Sequence, residues 1–359
     1  MSQFWHLPGP KAFVGSIIGD LRDGLHPILL LPRYGPQEHG LLSALKEAWV
    51  DEGHWETVYT KEVNPTVMLA DRCEMPGESR VSLKMLSEHT RLAGRTFLLE
   101  ELTERNWPAW KLFLEDFQHI TRSQSVCLRA LFIVPLIGEL ALDPPQEDLG
   151  LSLRRWDNVV DDLDLLLYAS QLLRSSSHPL QLQRLLASMI AELAAYDPEV
   201  VRRLCFESPT TIFQPNEVLL DLLKDRKWDW TIPGSWESGT LMTVLGRTTV
   251  HSAVQAAKGE LTERLWRAQL SVVFPLVERQ RQRLLGLLNG KLVFPINAPG
   301  GRIDSLSDVE LGHLAHYDNV RGLPIDLRDR ELLHELVEIR NHLAHLKTVP
   351  LGKLRSICN

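Results

Sequence analysis

Residues 27–31 have the sequence Pro-Ile-Leu-Leu-Leu, a compact apolar run that predicts a buried strand. The next five residues, 32–36, are Pro-Arg-Tyr-Gly-Pro and interrupt this strand. From Leu41 to Trp49 apolar residues recur at helical spacing. A buried strand, a loop rich in Gly and Pro and an amphipathic helix, in this order, are typical of a parallel α/β sheet.

Three further apolar runs in the N-terminal part predict strands, at residues 57–59, 96–101 and 131–137. The last run is apolar enough for a central strand, and an amphipathic helical pattern over residues 107–120 precedes it. We therefore expect an α/β domain with a parallel sheet over residues 1–142.

The composition changes after residues 143–148, Asp-Pro-Pro-Gln-Glu-Asp, which favour a loop. Beyond them the chain is rich in Leu and Arg, and apolar residues recur at helical spacing. A second loop, with three tryptophans nearby, is expected at residues 228–234. The chain has 359 residues, more than one core usually serves. We expect all-α segments here: a helical middle segment over residues 143–235 and a helical domain over residues 236–359.

The bulk composition limits the classes of protein. A net charge of −7 argues against wide duplex binding, although a small cleft can be locally basic. The four cysteines are scattered, which argues against a disulfide framework or a structural zinc site. The N-terminus lacks a signal-peptide pattern, and no apolar run approaches the ~20 residues that span a bilayer. We expect a cytoplasmic protein that has no membrane association.

The loop after the first predicted strand has the glycine spacing of a phosphate-binding loop. Gly35 and Gly40 match the two glycines of Gly-x4-Gly-Lys-Ser/Thr, whose amides, Lys and hydroxyl hold phosphates and magnesium. Residues 41–42 are both Leu where Lys and Ser/Thr are needed. Pro36 removes an amide donor, and Glu38 adds a negative charge. We expect no tight nucleotide binding and no ATP hydrolysis here.

The order of elements in residues 8–140 resembles the core of STAND/AAA-type NTPases. Residues 96–101 end in two carboxylates and resemble the strand that positions magnesium, and residues 131–137 stand where a sensor strand would lie. The resemblance implies a degenerate, non-hydrolysing P-loop domain. Two glycines at this spacing also arise by chance, and that alternative stays open.

A second motif lies near the C-terminus, in a strong amphipathic helix predicted over residues 331–346. Asn341 and His345 are four residues apart and therefore share one side of the helix. Arg340 is one residue earlier and has a long side chain. A His can transfer protons near neutral pH, an Arg can stabilise charge on a phosphate, and an Asn can orient either group. His342 offers a second imidazole, and the spacing does not decide which His faces a cleft.

The pattern Arg340-Asn341-x-x-Ala344-His345 resembles the signature of the HEPN ribonuclease family, and residues 262–279 resemble the long first helix of such domains. The resemblance implies a helical bundle over residues 245–355 that dimerises, so that two motifs form one RNase cleft. It also implies that Arg340, Asn341 and His345 are catalytic or phosphate-binding. No cofactor and no metal are expected.

Together the two resemblances suggest a bacterial anti-phage defence or toxin protein. We expect a metal-independent endoribonuclease effector that cuts RNA, acts as a homodimer through its HEPN domain and is regulated by a pseudo-NTPase domain. Protein partners encoded in the same operon are expected. The alternative is a non-catalytic adaptor or regulatory subunit of a larger defence or NTPase complex.

Overall fold

The computed structural model describes residues 3–61, 64–75, 81–148, 150–298 and 301–358. The chain forms two compact units that alternate along the sequence. Unit 1 comprises Met1–Asp164, Tyr196–Pro198 and Leu223–Val254, and unit 2 comprises Leu165–Ala195, Glu199–Leu222 and Gln255–Asn359. Compactness does not by itself define domains, so the division at residues 142 and 235 stays a prediction.

Unit 1 contains a sheet of five parallel strands, as the sequence predicts. The strands are β1 (His26–Leu31), β2 (His54–Tyr59), β3 (Arg95–Glu100), β4 (Leu131–Ile137) and β5 (Leu151–Arg155). Their order across the sheet is β2-β3-β4-β1-β5. Four strands coincide with the predicted apolar runs. The short edge strand β5 was not predicted, because its sequence, Leu-Ser-Leu-Arg-Arg, has only two apolar residues.

The core of unit 1 lies between this sheet and its helices. The helices are α1 (Pro8–Arg22), α2 (Leu41–Trp49), α3 (Pro65–Arg72), α4 (Leu83–Ser87) and α5 (Trp107–Thr121). From α5, Trp110 and Phe117 pack against Phe132 of β4, and all three side chains are fully buried. Such aromatic side chains each remove a large apolar area from water, so this contact fixes α5 against the sheet.

The chain after residue 143 is not wholly helical, which corrects the expectation of all-α segments. The strands β6 (Leu241–Val244) and β7 (Arg247–Val250) form an antiparallel hairpin. Its two-residue turn has φ 49° at Leu245 and φ 75° at Gly246, the positive values of a type I′ turn. The sequence does not indicate this turn, because Leu stands at its first position, where Asn or Asp is usual. A second hairpin joins β8 (Ile296–Ala298) and β9 (Gly301–Ile303).

The remaining elements are helices. They are α6 (Asp162–Leu173), α7 (Leu180–Ala194), α8 (Pro198–Cys205), α9 (Pro209–Phe213), α10 (Asn216–Asp225), α11 (Ser252–Lys258), α12 (Thr262–Leu288), α13 (Leu311–Arg321), α14 (Leu327–Ala344) and α15 (Leu351–Cys358). In unit 2, the 27-residue helix α12 packs against both α7 and α14, and α13 packs against α14. In the described parts of the chain, no helix is long and apolar enough to cross a bilayer.

The first residue of β1 makes the stability of unit 1 sensitive to pH. The ring of His26 is 1% exposed, and its Nδ1 accepts the Phe132 N–H at 3.0 Å. Burial, with a smaller contribution from the charge of Arg129, lowers the pKa of His26 to about 3 from 6.5. The native protein therefore keeps this ring neutral where the unfolded chain protonates it.

We predict that this histidine lowers the free energy of unfolding as pH falls from 6.5 towards 3, by up to about 1.4 kcal/mol per pH unit. Urea denaturation between pH 7 and pH 5 measures the slope. His26→Gln should reduce the slope, whereas His54→Gln, at an exposed position of β2, should not. Equal slopes for wild type and His26→Gln would contradict the prediction.

Candidate functional site

The motif predicted near the C-terminus lies at the end of α14. The helix begins at Leu327, where the side chain of Asp326 caps it by accepting the Asp329 N–H at 2.7 Å. It ends at Ala344, so His345 is the C-cap residue and not part of the helix. Its buried face consists of Leu333, Leu336, Ile339 and Leu343, with Asp329 near its start. Asn341 and His345 are exposed, and Arg340 is partly buried.

Arg340 forms an ion pair with the residue before α13. Its Nη2 donates to Glu310 Oε2 at 2.8 Å, and the two side chains are 40% and 57% exposed. Glu310 is also the N-cap of α13, where its side chain accepts the His313 N–H. An ion pair this exposed contributes little stability, so a phosphate could replace the carboxylate at small cost. The pair holds the guanidinium near the end of α14 without burying it.

The two histidines of the motif differ in their surroundings. The Nδ1–H of His342 donates to the Thr348 carbonyl oxygen at 3.2 Å, and its side chain is partly buried. The ring of His345 is exposed and has no hydrogen-bond partner within the ranges that the structure describes. Of the two imidazoles, His345 is therefore the more accessible.

Two side chains of α12 hold the end of α14 and the turn that follows it. Trp266 Nε1 donates to the Leu343 carbonyl oxygen at 2.8 Å. Gln269 is 1% exposed; its Nε2 donates to the Val349 carbonyl oxygen at 3.1 Å, and its Oε1 accepts the Val349 N–H at 2.7 Å. Neither residue is predicted from the sequence. The two residues are three apart, so their polar atoms share one face of the helix, which is otherwise packed. This spacing is the only local signal of their role.

The end of the chain is basic although the whole protein is acidic. Residues 341–359 contain Lys347, Lys353, Arg355 and two histidines but no Asp or Glu. Lys353 forms an ion pair with Glu338, whereas no ion pair of Lys347 or Arg355 occurs in the described part of the chain. A local excess of positive charge of this kind attracts a polyanion.

The glycine loop of unit 1 follows β1. Residues 36–39 form a 3-10 helix, and Gly40, with φ 80°, is the N-cap of α2. Gly35 has φ 167°, an extended conformation open to any residue. Only Gly40 therefore needs to be glycine for its backbone conformation. β1 and β4 are neighbours in the sheet, but the strand after β1 is at one edge, β2, and the strand after β4 is at the other edge, β5. The loop after β1 therefore lies at a topological switch point, where ligands of α/β proteins usually bind.

Residues 226–240 of the same chain contact this loop. Arg33 N–H donates to the Glu237 carbonyl oxygen at 2.7 Å, and Trp228 packs edge-on against Tyr34 at 5.7 Å between ring centroids. A Cβ at Gly239 would lie 2.9 Å from the Tyr34 carbonyl oxygen, so a side chain does not fit there. The start of the loop after β1 is therefore packed against residues of the same chain.

A buried group of charges lies at the same loop. Arg226, 5% exposed, donates to Asp197 Oδ2 at 2.5 Å and to Glu38 Oε2 at 2.8 Å. His251 Nε2 donates to Asp197 Oδ2 at 2.9 Å, and its Nδ1 accepts the Ala253 N–H at 3.1 Å. Burial alone would raise the pKa of the Asp197 carboxyl. The charge of Arg226 and the hydrogen bond from His251 outweigh burial and hold this pKa well below its ordinary value.

Sequence analysis identified Glu38 in this group but not Asp197, Arg226 or His251, which are far apart along the chain. Within the described ranges, no three His, Cys, Asp or Glu side chains are grouped so that they could hold a metal ion.

No protein-family model matches the chain, and no curated protein sequence matches it significantly. The two resemblances therefore depend on the motifs and the geometry given above.

We predict that Arg226→Met lowers the free energy of unfolding by about 3–5 kcal/mol, because it leaves the Asp197 carboxylate buried without its main counter-charge. Denaturant unfolding of the full chain measures this loss. Arg247→Met, at an exposed position of β7, is the matched control and should change the stability by less than about 0.5 kcal/mol. Asp197→Asn combined with Arg226→Met should recover part of the loss, since no buried charge then remains unpaired. An Arg226→Met protein as stable as the control would contradict this account.

Proposed function

We propose that unit 2 is a HEPN-type, metal-independent endoribonuclease of a bacterial defence or toxin system, and that unit 1 is a pseudo-NTPase that regulates it. The observation that carries the proposal is the exposed end of α14. There Arg340, Asn341 and His345 follow the family pattern, and the ring of His345 is free while that of His342 is held by Thr348.

The three groups suit RNA cleavage by the 2′-hydroxyl. In this reaction the 2′-oxygen attacks the neighbouring phosphorus, the bond to the 5′-oxygen breaks, and a 2′,3′-cyclic phosphate and a 5′-hydroxyl result. One group must take the proton of the 2′-hydroxyl, and another must give a proton to the leaving oxygen. His345 can perform either transfer, Arg340 can stabilise the charge on the phosphate, and Asn341 can orient it.

The need for two proton transfers also favours a homodimer. One copy of the motif offers one imidazole without a hydrogen bond in the described residues, His345, whereas the reaction needs both a base and an acid. Two motifs that meet across a two-fold axis supply one histidine for each transfer. The proposal therefore places the complete site between two copies of unit 2.

For unit 1, two observations support a degenerate NTPase core. Its loop after β1 lies at the switch point of a parallel sheet, where nucleotides bind in many α/β proteins. The loop lacks the Lys and Ser/Thr of a phosphate-binding loop, and Glu38 is paired with Arg226. Residues 226–240 pack against the loop, and we propose that unit 1 acts through protein contacts and not through hydrolysis.

The absence of Lys and Ser/Thr from the loop also favours the second candidate, a non-catalytic adaptor or regulatory subunit. A chain that has lost the chemistry of one motif could have lost that of the other. The two candidates differ in what His345 does, and a cleavage assay separates them.

We predict that the purified protein cuts single-stranded RNA or tRNA in the presence of EDTA and leaves 2′,3′-cyclic phosphate ends. His345→Ala should slow cleavage at least about 100-fold, because general acid–base catalysis is lost. His119→Ala, at an exposed position of α5, should cut as wild type does. If wild type and His345→Ala are equally inert and a stable partner co-purifies, the adaptor hypothesis is favoured.

We also predict that the protein does not bind ATP with micromolar affinity, with or without magnesium. The loop has no Lys for the phosphates, and Glu38 would repel them. Isothermal titration calorimetry on the full chain measures this directly. Heat of binding that saturates in the micromolar range would show that unit 1 is not a pseudo-NTPase.

A further inference from the structure

Unit 2 contains a polar cavity of about 410 Å³ beside the motif. It is lined by the end of α9 and the following residue, by Gln269 of α12, and by the chain from the turn after α14 into α15. The lining residues are Thr210, Phe213, Gln214, Gln269, Thr348, Val349, Pro350, Leu351, Gly352 and Arg355. Its volume falls within the range of small-molecule sites, roughly 300–1,000 Å³.

The cavity is linked to the motif through Thr348. Thr348, which lines it, accepts the hydrogen bond from His342 and is three residues from His345. Val349, also in the wall, is held at both its N–H and its carbonyl oxygen by Gln269. Because Gln269 is buried and uses both ends of its amide, this wall is fixed and not an adaptable loop.

The polar side chains at the cavity mouth are available to a ligand. Gln214, Thr210 and Arg355 are exposed, and none of their side chains has a hydrogen-bond or ion-pair partner within the ranges that the structure describes. Phe213 is partly buried and lines the cavity. The cavity therefore combines an aromatic ring, an amide, hydroxyls and a guanidinium.

We propose that this cavity is a nucleotide-binding subsite that holds one nucleotide of a single-stranded RNA next to the Arg340, Asn341 and His345 motif. The proposal depends on the proposed nuclease function for its substrate class. The subsite adds residues that position the RNA and that are not part of the family motif.

The lining chemistry matches the parts of a nucleotide. Phe213 provides a face on which a base can stack, which is how proteins commonly hold unpaired bases. The Gln214 amide can donate to and accept from the edge of a base. Arg355 can bind a phosphate through two N–H groups, and it lies in the stretch without Asp or Glu. A duplex would not expose its bases to such a cavity, so the ligand is single-stranded.

The test measures binding apart from cleavage. A short fluorescein-labelled single-stranded RNA with 2′-O-methyl riboses cannot be cut by its own 2′-oxygen, and its binding to the full chain is followed by fluorescence anisotropy. Wild type should bind it, and Arg355→Ala and Phe213→Leu should each weaken binding by about fivefold or more. The matched controls are Arg328→Ala, at the exposed opposite end of α14, and Phe206→Leu, at an exposed site. Both should bind within about twofold of wild type.

Cleavage kinetics on natural RNA give a second readout. Arg355→Ala should raise KM more than it lowers kcat, whereas His345→Ala should lower kcat and leave binding of the methylated RNA intact. If the RNA does not bind, or if the cavity variants bind as their controls do, the subsite is wrong. If RNA binding depends on Arg355 and Phe213 but no RNA is cut, the subsite stands and the nuclease proposal fails.

Discussion

Asp197 remains charged inside unit 1 because Arg226 and His251 contact its carboxylate. A buried carboxylate without partners would cost several kcal/mol, so these three residues must come together when the chain folds. They come from segments far apart in the sequence, between α7 and α8, after α10 and after β7. All three residues lie in segments 196–198 and 223–254, which belong to unit 1.

The same charges explain the loop after β1. Arg226 also contacts Glu38, and the segment that follows it packs against the start of this loop. In a phosphate-binding loop the positive charge belongs to a Lys of the loop and serves the ligand. Here the loop carries a negative charge, and the positive charge comes from elsewhere in the same chain. The start of this loop is part of the packing of unit 1.

In unit 2, α12 fixes the proposed site. Trp266 and Gln269 bind backbone atoms of Leu343 and Val349, on either side of His345. These contacts hold rigid the segment between the motif and the cavity, and leave the side chains of Asn341 and His345 exposed. Pre-organisation of this kind suits catalysis, since groups already in place need not be ordered when a substrate binds.

The sequence by itself determined four strands of the sheet, the helix of the motif and the absence of Lys and Ser/Thr from the glycine loop. These features are local, because strand and helix periodicity and the identity of neighbouring residues do not depend on distant parts of the chain. Only the tertiary structure decided that His345 is the exposed imidazole, that Arg226 and Asp197 meet at the loop, and that Phe213 and Arg355 line one cavity. Each of these depends on contacts between residues that are remote in sequence. Such contacts are selected by the free energy of burial in the folded protein, so no single segment of the sequence shows them.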